Sequence, residues 1–160
     1  MADTPDVIDL DAIAEQNAQA RAELMEAVDA LSAEQRREVW FGEWSLHEVI
    51  AHIAAWQDGF AHALELLARG ERPVIPGAQG DDFDAFNAAS TEARKDLGWE
   101  QLMAELSTAR QRHEAAIRGL SALPPERLAP GKTANNLSDE AEHDREHVGA
   151  ILAWRREKGY

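Results

Sequence analysis

Residues Ser45-Leu46-His47-Glu48-Val49-Ile50-Ala51-His52-Ile53-Ala54-Ala55-Trp56 decide the fold. Ser45 followed by Glu48 has the form of a capping box, with Trp44 placed as a hydrophobic staple. From there Val49, His52, Ile53, Trp56, Phe60, Ala63, Leu64 and Leu67 recur at helical spacing, which predicts one long helix to about Arg69. Gly70, Pro73, Pro76, Gly77 and Gly80 then mark a loop.

Working outward, Ile13, Ala20, Leu24, Ala27, Val28 and Leu31 predict a first helix over about Asp9 to Leu31. Ser32 to Gln35 is a second capping box, opening a short turn that holds Val39 and Trp40 and stops at Gly42. Asp81, Asp82 and Asp84 suit the first turn of a helix that carries Phe83, Phe86 and Asn87. Leu102, Leu106, Ala109, His113, Ala116 and Ile117 give the stripe of another helix from Trp99 to about Arg118. Gly119 to Leu137 reads as an extended connection, and Ser138 as the cap of a last helix reaching Lys158. No strand pattern competes. The expected fold is an all-α four-helix bundle with additional short helices and long connections, residues 1–160 forming a single domain.

A chain of 160 residues buries about 70% of its unfolded surface. Thirty acidic residues against 16 basic leave a net charge of −14. Phosphate neutralisation requires a basic surface, so the expectation is no nucleic acid partner and no anionic membrane surface. Arg155 and Arg156 fall near a helix C-terminus, where they suit the dipole. Without cysteine there are no disulfides or thiolate ligands. The acidic start of the chain lacks the form of an export signal, and no apolar run is long enough to span a bilayer, so the expected location is cytoplasmic.

His143 and His147 are one helical turn apart, and their stripe continues to Ile151 and Trp154, so both face inward. His52 faces inward from the second long helix. Together His52, His143 and His147 offer either three ligands to a divalent ion with one position left open, or three hydrogen-bonded core histidines. Residue types alone leave both open. The segment His143-Asp144-Arg145-Glu146-His147 is not a zinc-protease motif, because no glutamate follows the first histidine. Asp144 and Glu146 point off the histidine face and are expected in solvent. Glu140 or Glu142 is placed to orient an imidazole. Trp56 packs in the core or walls a pocket; Phe83, Phe86 and Asn87 are candidates for its entrance. His113 is expected to be structural, and His47 shares no face with His52.

Three segments together resemble the DinB/YfiT-like superfamily, and within it the ClbS/DfsB-type branch. They are Gly42 to Trp56, Asp82 to Ala88, and His143 to His147 with Ile151 and Trp154. The resemblance implies a three-histidine site for zinc or nickel made by His52, His143 and His147. It also implies a possible low-molecular-weight thiol cofactor and a small-molecule substrate or ligand. Activities attributed to that superfamily include thiol transfer, maleylpyruvate isomerisation and hydrolytic detoxification. The expected function is therefore a metal-dependent hydrolase or thiol transferase acting on a small electrophile. The alternative is a non-catalytic small-molecule-binding resistance protein or a bundle that works as a homodimer.

Overall fold

The computed structural model describes residues 6–78, 80 and 82–160. Asp81, expected in a first helical turn, and the first five residues, on which the reading of the chain's start relied, lie outside the described residues. Four long helices dominate: α1 (Leu10–Val28), α3 (Leu46–Ala68), α5 (Trp99–Gly119) and α7 (Ala141–Lys158). Short helices α2 (Ala33–Arg37), α4 (Phe83–Glu92) and α6 (Thr133–Ser138) fill the connections. The all-α bundle is as the stripes require; α1 ends at Val28 rather than Leu31, and the six residues expected on the first helix's inner face are all buried, Leu31 from beyond the helix end.

Local chemistry sets the helix starts. Asp9 caps α1 by accepting from the Ala12 N–H at 3.0 Å, and the Ser32–Gln35 box closes from both sides, at 2.7 and 3.1 Å. At α3 the Glu48 carboxylate accepts from the Ser45 N–H at 2.8 Å and from its hydroxyl. At the other end of α1, Arg155 of α7 donates to the Ala27 and Asp29 carbonyls at 2.7 and 2.9 Å. These carbonyls have no acceptor role inside the helix, so a cation from a neighbouring helix satisfies them. Arg155 therefore serves α1 rather than its own helix end.

Cross-helix contacts give the directions. Asn17 meets Ser138 and Glu140, Glu23 meets Arg145, and Ala27 meets Arg155, so α1 and α7 run parallel. His47 meets Leu97 and Gln57 meets Arg110, so α3 and α5 also run parallel. Arg110 meets Asp144, while Leu102 and Leu106 pack in one cluster with Ile151 and Trp154, so α5 and α7 are antiparallel. Parallel neighbours need long crossovers, which explains the length of the connections.

Three local expectations are corrected. Val39–Phe41 is not a turn but a strand, paired antiparallel with Trp44–Ser45 around Gly42, whose φ is +60°. Its side chains alternate: Trp40 packs inward and stacks on Trp154 at 4.9 Å, while Val39 and Phe41 are exposed. Three residues are too few for that period to stand out. The connection after α5 is not extended; it contains two 3₁₀ turns and α6. Ser138 ends α6, its hydroxyl donating to the Ala134 carbonyl, and the N-cap position of α7 is Glu140.

Among the described residues the core has three apolar clusters, the smallest made by Ala55, Trp56 and Phe86. Leu24, Leu46, Ile50, Ile53, Leu102, Ile151 and Trp154 fill another, and Ile13, Leu64, Leu67, Ile117 and Leu120 the third. Each such side chain contributes about 1.5–3 kcal/mol relative to exposure. Buried polar residues also line the interior: Asn17, Arg21, Gln57, Arg110, His113, Ser138, Glu140 and Asp144. The candidate site adjoins this polar group where α3 and α7 approach each other.

Candidate metal centre

The three histidines converge. His52 comes from α3, His143 and His147 from successive turns of α7, and each offers a ligand atom within 4.8 Å of the other two. His143 Nε2 stands 3.4 Å from His52 Nε2 and 3.1 Å from His147 Nε2. Two nitrogens held tetrahedrally by one ion at roughly 2.0–2.1 Å are about 3.4 Å apart. Two of the three donor separations therefore match the spacing that a tetrahedral divalent ion requires. The donors suit zinc or nickel, because imidazole does not discriminate strongly between these metals.

Burial separates the three electrostatically. Loss of hydration pushes His52 down to about 4, helped by His143 and opposed by the hydrogen bond to Asn87. Burial, then its two histidine neighbours, pushes His147 down to about 3. His143 is raised instead, first by its hydrogen bond to Glu140. Two imidazoles are thus held neutral, as ligation requires, and His143 is the one that retains a proton most readily.

Two of the three rings have a hydrogen-bond partner outside the triad. His143 Nδ1 donates to Glu140 Oε2 at 3.3 Å. Glu140 is itself fixed, its backbone N–H donating to Asn17 Oδ1 at 3.0 Å while Asn17 Nδ2 donates to the Ser138 carbonyl at 2.8 Å. Of the two candidates for orienting an imidazole, Glu140 occupies that place. Asn87 Oδ1 lies 3.0 Å from His52 Nδ1 and accepts from Trp56 Nε1 at 2.8 Å.

Asp144 contradicts its sequence reading. It is wholly buried, paired with Arg110 of α5 at 3.3 Å and accepting from Gln57 of α3 at 3.3 Å. The face of α7 that enters the core is wider than the His143–His147 stripe and includes Ala141, Asp144, Val148 and Ile151. Glu146 is exposed, as expected. His113 is buried between Arg21 and the Leu137 carbonyl, at 3.0 and 2.8 Å, and His47 faces the Leu97 carbonyl at 2.9 Å.

An open cleft of about 330 Å³ beside the triad is lined by Phe41, Glu43, Trp44, Asp84, Asn87 and Ala88. Trp44 sits 5.2 Å from the His52 ring and Phe41 6.0 Å from that of His147. Of the four residues expected at the pocket, Asn87 lies on this cleft. Trp56 meets Phe83 edge-on and Phe86 at a tilt, with ring centroids 5.5 and 4.5 Å apart, and Phe86 borders a second cleft with Gly59 and Pro76. Sequence reasoning missed Phe41 and Glu43. The only available signal was a short aromatic run before a glycine.

Residues 16–154 match the family profile described as the DinB superfamily. No curated protein matches the chain. Two solved structures are similar in fold, each at 13% identity. One is the colibactin self-resistance protein ClbS in complex with a double-stranded DNA, with TM-score 0.72 over 90% of this chain and 93% of that one. The other is an uncharacterised protein from Escherichia coli UTI89, with TM-score 0.77 over 99% and 98%. The ClbS complex overturns the expectation of no nucleic acid partner. A net charge of −14 sums the whole surface, whereas charges more than about 10 Å apart are largely screened, so local arrangement decides what is bound. Among the described residues no helix is long and apolar enough to cross a membrane.

Proposed function

The chain belongs to the DinB superfamily, and on that premise we propose that it binds one divalent metal ion, zinc or nickel, through His52, His143 and His147. The observation that carries the reading is the convergence of three imidazole nitrogens from two helices at ligand spacing. The reaction class we assign is hydrolysis of, or thiol transfer to, a small electrophilic molecule. A metal with an open position supplies Lewis acidity and lowers the pKa of a bound water or thiol. The chain's own residues do the rest. Glu140 orients His143, Asn87 contacts His52, and Phe41 and Trp44, with Glu43 and Asp84, wall the cleft beside the triad.

Metal analysis of untagged protein tests this. One zinc or nickel ion per chain is expected after incubation with the metal, and none with His143→Ala. Equal metal content in the two proteins would refute the site. A second reading is favoured by the likeness to ClbS: a resistance protein that holds a small molecule without transforming it, in contact with duplex DNA. Metal binding with no turnover across thiols and electrophiles, together with a DNA mobility shift, favours this reading over the first.

A further inference from the structure

The Trp56 indole N–H is a donor with no acceptor role, and it points at the side chain of Asn87 at 2.8 Å. The Asn87 atom that meets it is therefore the amide oxygen. The same oxygen stands 3.0 Å from His52 Nδ1. An amide oxygen only accepts, so a neutral His52 must carry its hydrogen on Nδ1. The lone pair then lies on Nε2, the atom facing His143 Nε2 at 3.4 Å. Trp56 follows His52 by one helical turn, which is why both reach one acceptor.

We propose that Asn87 is a positioning residue that selects the tautomer of His52. Trp56 orients the Asn87 amide, and Asn87 turns the His52 Nε2 lone pair toward the triad. In the opposite tautomer, His52 Nδ1 and Asn87 Oδ1 would confront each other as two acceptors in a buried site, and a hydrogen bond would be lost. One such bond sets roughly a tenfold preference. The acceptor comes from α4 rather than from either ligand-bearing helix. Its place is set by the Asp82 cap, which accepts from the Ala85 N–H at 3.0 Å, and by the contact of Phe86 with Trp56. The tautomer assignment stands on the hydrogen bonds; its consequence for affinity rests on the metal reading above.

Long-range ¹H–¹⁵N spectra of histidine-labelled, chelator-treated protein at pH 8 read the tautomer directly. Wild type and Asn87→Asp are expected to show His52 protonated on Nδ1, and Asn87→Leu to lose that single signature. Zinc affinity, measured against a chromophoric chelator, is expected to fall about 10–100-fold in Asn87→Leu and not to fall in Asn87→Asp. A merely structural role would lower the melting temperature and leave the tautomer unchanged. An Nε2–H tautomer in the wild type would overturn the proposal, as would an unchanged one in Asn87→Leu. If Asn87→Leu does not fold, the wild-type tautomer and the Asn87→Asp affinity decide. Should the wild type bind no zinc, the metal reading fails while the spectra still decide the role of Asn87.

Discussion

Asp144→Ala is the substitution expected to do most damage outside the ligands. The carboxylate is fully buried and accepts from Arg110 Nη2 and Gln57 Nε2, both at 3.3 Å. Arg110 is 8% exposed, and its charge is disfavoured first by burial, which pushes it down to about 10 against the support of Asp144. Arg21 adds a like charge nearby. Removing the carboxylate therefore leaves a buried guanidinium with no anion beside it, a loss of about 3–5 kcal/mol. For a chain of this size that lowers the melting temperature by about 6–20 °C. Urea unfolding followed by circular dichroism, with chelator present so that metal linkage does not contribute, measures it. The double variant Asp144→Leu with Arg110→Met should recover most of the loss, because no charge is then stranded. A cost below about 1 kcal/mol for Asp144→Ala, well under the range for a broken buried pair, would refute the reasoning. Full additivity of the single Arg110→Met and Asp144→Leu effects in the double variant would refute it equally.

Further outcomes follow from the same geometry. A Cβ built on Gly59 comes 2.6 Å from Ile75 Cγ2, so Gly59→Ala should destabilise by about 1–3 kcal/mol through overpacking; Ile75→Ala introduced with it should relieve part of that loss in urea melts. Glu140→Gln leaves an acceptor but removes the charge beside His143, and should weaken zinc binding by about 10–100-fold with the helical circular dichroism unchanged. Acidification should destabilise the chelator-treated protein. His52 and His113 are pushed down to about 4 and His147 to about 3, so between those values and about 6.5 the unfolded chain binds more protons at these three positions and stability falls with falling pH. His143, first through its hydrogen bond to Glu140, and Glu140 and Asp144, first through burial, are raised and work in the opposite sense; the larger displacements of the three imidazoles outweigh them. A stability that rises on going from pH 7 to pH 5 would contradict these burial arguments.

Residue order was enough to place the four long helices and to set His52, His143 and His147 on inward stripes. Helical periodicity is local, and the boxes at Ser32 and Ser45 are short-range hydrogen bonds whose partners are three residues apart. His143, His147, Ile151 and Trp154 could be placed on one stripe for the same reason. Only the tertiary structure decided the rest. Asp144 belongs to the core because α7 is enclosed by α1 and also meets Arg110 and Gln57 from two other helices, and no pattern within α7 records that. The hairpin at Val39–Ser45 is too short to show its period, yet it brings Phe41 and Trp44 to the cleft. Asn87 and Glu140 reach the imidazoles from 35 and three residues away in sequence, respectively. The first contact depends on how α4 seats against α3, which is set by packing between elements rather than by any local propensity.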